Sequence, residues 1–89
     1  MEPGNIAIIN SHLEYIVLNM DKNRTLDHLL STGTLTNPIY TRIMRISHSD
    51  DANRELLDIL KQTPGAYGKF IDALYNTQQF ELVARLQTT

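Results

Sequence analysis

Residues 54–74, RELLDILKQTPGAYGKFIDAL, carry the strongest indication of the fold. Apolar side chains recur at intervals of three and four residues on both sides of a Pro64-Gly65 break, and such spacing places them on one face of an α-helix. The Pro-Gly pair is typical of a turn. The stretch therefore predicts two consecutive amphipathic helices. Their apolar stripes consist of Ala52, Leu56, Ile59 and Leu60, and of Ala66, Phe70, Ala73 and Leu74.

The same spacing extends toward the N-terminus, where one apolar face of a helix of about four turns is predicted. Asn10 and Ser11 lie in the middle of that helix, and both are mediocre helix formers, so we expect a bend there. Residues 15–18 are β-prone, which leaves a strand as the alternative for that stretch. The face consists of Ile6, Ile9, Leu13, Ile16, Val17 and Met20.

Three further helices are predicted from their end signals. One covers residues 25–32 and ends before Gly33; the next opens at Asn37, an N-cap residue followed by proline. Ser49 is expected to cap the helix that contains residue 54, and Thr77 to cap the last helix. Six short helices with short connections predict an all-α, antiparallel bundle.

Size and composition narrow the range of folds and sites that the chain can form. The 89 residues and net charge of −2 indicate one globular domain over residues 1–89. No cysteine is present, which excludes disulfides and thiolate metal sites. No apolar run is long enough to span a bilayer and no secretory signal begins the chain, so we expect a soluble, cytoplasmic protein without a membrane partner.

The chain carries little that predicts catalysis. His12, His28 and His48 lack metal-ligand spacing, and the pair Asp50-Asp51 is explained by the positive end of the helix dipole. No glycine-rich phosphate loop follows a strand. We therefore expect a protein that is not an enzyme, with no metal and no cofactor.

Charged residues on the exposed helix faces are the remaining candidates for function. Arg42 and Arg45 share a face and could touch phosphate, but the acidic balance of the chain favours a solvated face over nucleic-acid binding. On another helix, an Arg54–Asp58 pair at i, i+4 is the simplest interpretation. Gly68 lies within a predicted helix, which indicates close approach of a neighbouring helix.

At the level of motifs, residues 54–60 (RELLDIL) and 64–74 (PGAYGKFIDAL) resemble the second half of a caspase recruitment domain (CARD). Residues 26–36 (LDHLLSTGTLT) are similar to the second helix of that family and the turn after it. Thr77, Leu82 and Leu86 match the last motif. The chain departs from the family pattern at Gln62-Thr63 and at Phe80, where many members have a small residue.

The resemblance implies a six-helix Greek-key bundle of the death-fold superfamily, with a first helix that is often bent. It implies homotypic binding to another CARD-containing protein, an initiator caspase or its adaptor, in apoptosis or innate immunity, and a possible homo-oligomer. A CARD-only decoy that blocks recruitment is the alternative, and a small nucleic-acid-binding domain is a further one.

Family members typically pair a basic face on helices one and four with an acidic face on helices two and three. The candidate contact residues that follow from this pattern are Asp27, Arg42 and Arg45 on one face, and Arg54 and Lys61 on the other. Both faces carry mixed charge in this chain, so the sequence does not say which half of a docking pair it supplies.

Overall fold

The computed structural model describes residues 1–88 and shows seven α-helices and no strand over that range. The all-helical prediction is confirmed, and the strand alternative for residues 15–18 is wrong because they lie within the second helix. The helices are α1 (Pro3–Ser11), α2 (Leu13–Asn19), α3 (Lys22–Ser31), α4 (Asn37–Met44), α5 (Ser49–Lys61), α6 (Ala66–Asn76) and α7 (Phe80–Gln87).

The seventh helix arises because the single first helix predicted from the sequence is two helices, α1 and α2. His12 separates them with φ −117° and ψ 18°, outside helical geometry. Just before it, the Ser11 hydroxyl donates to the carbonyl of Ala7 at 2.9 Å, a bond that competes with the helical ladder and bends helices. The break lies directly after the predicted bend at Asn10 and Ser11.

Two helix starts differ by one residue from the prediction. Thr36, not Asn37, is the N-cap of α4, and its hydroxyl accepts from the backbone N–H of Ile39 at 3.4 Å. Similarly, Ser49 is the first residue of α5, and His48 occupies the N-cap position without a side-chain cap bond. Asp50 and Asp51 lie in the first turn of α5, where the helix dipole stabilises negative charge.

Thr77 ends α6 and does not cap α7. Its side chain is buried, and its hydroxyl donates to the carbonyls of Ala73 at 2.7 Å and Leu74 at 3.2 Å. Both carbonyls also accept a backbone N–H group at the end of the helix, so the hydroxyl adds a second bond to each. Gln78 then takes a left-handed conformation with φ 64°, which turns the chain before α7 begins at Phe80.

Helix α5 is central to the packing, since it contacts α2, α3, α4 and α6. The predicted stripes supply much of the core, with Phe70 its largest fully buried side chain. A Cα radius of gyration of 11.7 Å matches the value of about 12 Å expected for a compact chain of this length. The fully buried apolar residues include Ile9, Ile16, Leu26, Leu29, Ile43, Leu56, Leu57, Leu60, Phe70, Leu74 and Leu86.

Candidate interaction surface

The guanidinium of Arg54 on α5 forms an ion pair with Glu14 on α2. Its Nη2 atom lies 2.8 Å and 3.0 Å from the two carboxylate oxygens. The pair replaces the predicted Arg54–Asp58 pair within α5. The hydrogen bond from Glu14 and its charge raise the pKa of Arg54, with smaller contributions from Asp50 and Asp51. Arg54 therefore stays charged and remains held against α2.

A second ion pair joins α5 to α4 on its other side. The Nη2 atom of Arg42 lies 2.8 Å from a carboxylate oxygen of Glu55. Both side chains are partly exposed, so solvent and salt weaken the attraction between them. An incoming carboxylate must therefore share the guanidinium of Arg42 with Glu55 or displace Glu55 from it.

Asp27 on α3 accepts a hydrogen bond from the hydroxyl of Tyr40 on α4. This bond, together with partial burial and the negative charge of Asp27, raises the pKa of the Tyr40 phenol. The carboxylate is exposed to solvent. Asp27 therefore lies on the α3–α4 face with one of its carboxylate oxygens engaged by Tyr40.

Arg45 and Lys61 are placed differently from the other three candidates. Arg45 follows α4 as its C-cap and is exposed; Lys61 is the last residue of α5 and is half-buried. Within residues 1–88, neither side chain has a hydrogen-bond or ion-pair partner. The backbone carbonyl of Lys61 accepts from the terminal ammonium of Met1 at 3.3 Å. No bond within that range joins any two of the five candidates to each other.

The outward face of α5 carries Arg54, Lys61 and an acidic stripe, which we define as Asp50, Asp51 and Asp58. All three side chains are exposed. Asp51 and Asp58 are seven residues apart and so share one helix face. In the sequence, the helix dipole explained Asp50 and Asp51 and an internal pair explained Asp58, so no pattern indicated the stripe as a surface feature.

Residues 1–88 contain neither a metal-binding cluster nor a membrane-spanning helix. No group of three or more His, Asp or Glu side chains in that range could hold a metal ion. None of the helices there is long and apolar enough to cross a bilayer.

Comparison with protein families gives one match over nearly the whole chain. The model of the caspase recruitment domain matches residues 7–89. This chain belongs to the CARD family. Comparisons with curated proteins and with solved structures give no match. CARDs are protein-interaction modules that bind other death-fold proteins in apoptotic and inflammatory signalling, and the all-helical architecture of this CARD is consistent with the death fold.

This CARD has an exposed aromatic pair at the corner between α6 and α7. The rings of Tyr75 and Phe80 meet edge to face, with centroids 5.4 Å apart and planes at 68°. Both side chains are more than half exposed. The sequence marked Phe80 as a departure from the family pattern. It did not indicate Tyr75 as the partner of Phe80, because the turn between α6 and α7 brings the two rings together.

A neighbouring contact closes the seam between α2 and α7. The Arg85 guanidinium lies over the Tyr15 ring, 3.7 Å from its centroid. The Tyr15 hydroxyl donates to Glu81 at 3.2 Å. No local sequence pattern signals these contacts, since α2 and α7 are at opposite ends of the chain. They show that the charged residues of α7 are engaged with α2.

Proposed function

We propose that this CARD recruits or assembles an initiator caspase or its adaptor in the cytoplasm by binding another CARD. The observation that carries the proposal is the family match over residues 7–89. Charged side chains cover the outward faces of α3, α4 and α5, and complementary charge governs partner choice and encounter rate at such surfaces. Several weak contacts suffice when many copies gather, because linked copies raise the effective concentration.

We propose that the five candidate residues contribute to docking in two ways. Arg45 and Lys61 have no side-chain partner within residues 1–88, so they can reach an incoming carboxylate directly. Arg42, Arg54 and Asp27 hold internal partners, so each must share or exchange that partner to bind another protein. Reversal of Arg45 should therefore weaken docking more than reversal of Arg42.

The test is a pull-down against immobilised CARDs of initiator caspases and adaptors. Asp27→Lys and Arg54→Glu should each weaken capture at least several-fold, since one like-charge contact at a docking surface repels the partner. Helical circular dichroism should be unchanged, because both side chains are exposed. If both reversals bind as well as the unmodified protein, the assignment of these contacts is wrong.

A matched variant separates docking from internal pairing at Arg54. The exchange Glu14→Arg with Arg54→Glu keeps an ion pair between α2 and α5 but reverses its direction. If Arg54 contacts the partner, this exchange should still weaken capture. If capture returns to normal in the exchanged protein, Arg54 acts only through its bond to Glu14.

The assembly state of the captured partner distinguishes recruitment from decoy activity. Added in sub-stoichiometric amounts, a recruiter increases the assembly of the partner CARD, whereas a decoy caps the partner and reduces it. Light scattering of the purified partner CARD with increasing amounts of this protein measures the difference. Increased scattering supports the proposal, and decreased scattering assigns this CARD to the decoy class.

A further inference from the structure

A groove between α2 and α7 is lined by aromatic rings and by acceptor oxygens. Its volume is about 320 Å³, near the lower limit of the range typical of ligand pockets. That size suits one long side chain of a partner. The lining residues are Tyr15 and Asn19 on α2, and Gln78, Gln79, Phe80, Glu81 and Leu82 at the start of α7.

Phe80 supplies an aromatic surface that the protein itself leaves open. Its side chain is 53% exposed, and the edge-to-face contact with Tyr75 holds its ring in place. Tyr15, the other ring of the groove, already has the guanidinium of Arg85 over it, 3.7 Å from the ring centroid. Phe80 is therefore the ring on which an incoming planar cation can lie, as Arg85 lies over Tyr15.

The polar side chains of the groove present acceptor oxygens. Glu81 is exposed, and its Oε2 atom accepts the hydroxyl of Tyr15 at 3.2 Å. A carboxylate has about four acceptor positions, so one such bond leaves capacity for others. Asn19 donates through its side-chain nitrogen to the carbonyl of Tyr15 at 2.8 Å. Its side-chain oxygen is the end that remains to accept from a ligand.

Gln79 holds the groove in shape. Its Oε1 atom accepts the backbone N–H of Asp21 at 2.8 Å. Its Nε2 atom donates to the hydroxyl of Thr25 at 2.8 Å and to that of Thr77 at 2.7 Å. These bonds join the start of α3 and the end of α6 to the start of α7. A groove that is formed in advance loses little conformational freedom when a ligand enters.

Glu81 is the one charged side chain among the lining residues, all of which lie within residues 1–88. Beyond the groove, Asp21 and Lys22 at the start of α3 offset each other in charge, and Arg85 lies one turn further along α7. The groove therefore offers an incoming cation a carboxylate. It offers an incoming anion no cation among the side chains that line it.

We propose that this groove binds an arginine side chain presented on an exposed peptide segment of a partner protein. A guanidinium is planar, permanently charged, and carries N–H donors but no acceptor. It can pair with Glu81 while its plane covers the ring of Phe80, and Asn19 can accept one of the remaining N–H groups. The site is distinct from the five candidate docking residues and does not depend on the proposed CARD docking.

The experiment is a titration of the purified protein with acetyl-Gly-Arg-Gly-amide, followed by proton–nitrogen correlation NMR. We expect saturable shifts concentrated in the backbone amides of residues 15–19 and 78–82. The same peptide with citrulline in place of arginine is nearly isosteric but uncharged, so it should bind about three- to twenty-fold more weakly. A lysine peptide should also bind more weakly, because an ammonium lacks the planar fork of donors.

Two substitutions test the ring and the carboxylate separately. Phe80→Leu keeps an apolar side chain but removes the ring. Glu81→Gln keeps an acceptor for the hydroxyl of Tyr15 but removes the charge. Each should weaken binding of the arginine peptide about two- to five-fold. Both positions are exposed, and the NMR spectrum of each variant shows directly whether it is folded.

Asp58→Asn on α5 is the matched control for Glu81→Gln. It removes the same charge from an exposed position that does not line the groove, so binding should be unchanged. Weaker binding in both groove variants, with no change in the control, supports the proposal. Equal binding of the arginine and citrulline peptides would overturn it, as would an equal loss in Asp58→Asn or an absence of shifts at the groove.

Discussion

At the scale of single residues, the charge of the surface depends on which charged side chains form ion pairs or hydrogen bonds within the protein. Arg42 on α4 and Arg45 at its C-cap are three positions apart, yet only Arg42 reaches a carboxylate of α5. The exposed ion pairs contribute little to stability, because solvent and salt screen the attraction and holding two long side chains in one geometry costs entropy. Their main consequence is therefore the pattern of charge left facing solvent.

The bond between Tyr40 and Asp27 predicts a specific titration. Asp27 accepts a hydrogen bond from the protonated phenol, so the pKa of Tyr40 should lie above its ordinary value of 10.0. Asp27→Asn should lower the pKa of Tyr40 toward that value, because the substitution removes the negative charge. Proton NMR of the tyrosine rings, recorded across alkaline pH, measures the pKa of Tyr40 in the unmodified protein and in the Asp27→Asn variant.

The same bond predicts how stability depends on pH. Folding raises the pKa of Tyr40. The stability that protonated Tyr40 gives the folded state is therefore fully present below the ordinary pKa and is lost as pH rises through the raised pKa. Asp27→Asn should reduce this alkaline loss. The pKa of Tyr67, which burial raises, should be unaffected and serves as the internal control. An unchanged Tyr40 titration in the variant would contradict the assignment.

Gly68 predicts a stabilising substitution. The sequence suggested that a neighbouring helix approaches it closely, but a Cβ at this position would meet nothing within 4 Å. Because alanine is the better helix former, Gly68→Ala should raise the free energy of unfolding by about 0.5–1 kcal/mol. Urea denaturation followed by circular dichroism measures the change.

Gly65 is the matched control for that substitution. It also has open space around a Cβ, but its φ of 70° is one that alanine adopts only with strain. Gly65→Ala should therefore lower stability while Gly68→Ala raises it. A loss of stability at both positions would show that Gly68 is needed for a reason other than space.

At the scale of helices, Asn53 joins α5 to the end of α2. Its buried side-chain amide donates to the carbonyl of Val17 at 3.0 Å and to that of Met20 at 3.1 Å. These carbonyls lie where α2 ends and have lost their helical partners. The bonds explain how a helix of seven residues, too short to be stable alone, keeps a defined end against α5.

Asn53→Ala should lower the free energy of unfolding by about 1–3 kcal/mol, since it leaves two buried acceptors without donors. Hydrogen exchange of the α2 amides should increase more than that of α6. Asn23→Ala, at an exposed position of α3, is the control and should change stability by no more than about 0.5 kcal/mol. If the two alanine variants are equally stable, the bonds to α2 are not important for stability.

At the scale of the whole molecule, α5 combines two roles. One side of it packs against α2, α3, α4 and α6, and the other carries the acidic stripe and the two flanking ion pairs. Any substitution on α5 that repacks the core is therefore expected to shift the proposed docking surface as well, which is why the charge-reversal tests use exposed positions.

The sequence by itself determined the helical class, the positions of most helices, the apolar faces that form the core and the likeness to a CARD. These features depend on apolar spacing within a few residues along the chain, and helical periodicity is local. Cap positions at Asn37, Ser49 and Thr77 were less well predicted, because a capping side chain competes with adjacent residues for the same backbone groups.

Only the tertiary structure decided which charges remain available at the surface. Glu14 and Arg54 are 40 positions apart, and Arg42 and Glu55 are 13 apart. A pair of this kind forms only where packed helices bring its members within hydrogen-bond distance, and sequence spacing does not encode that approach. The charge left at the surface of this CARD therefore depends on how α2, α4 and α5 pack, since their contacts pair two arginines with carboxylates and leave Arg45 exposed.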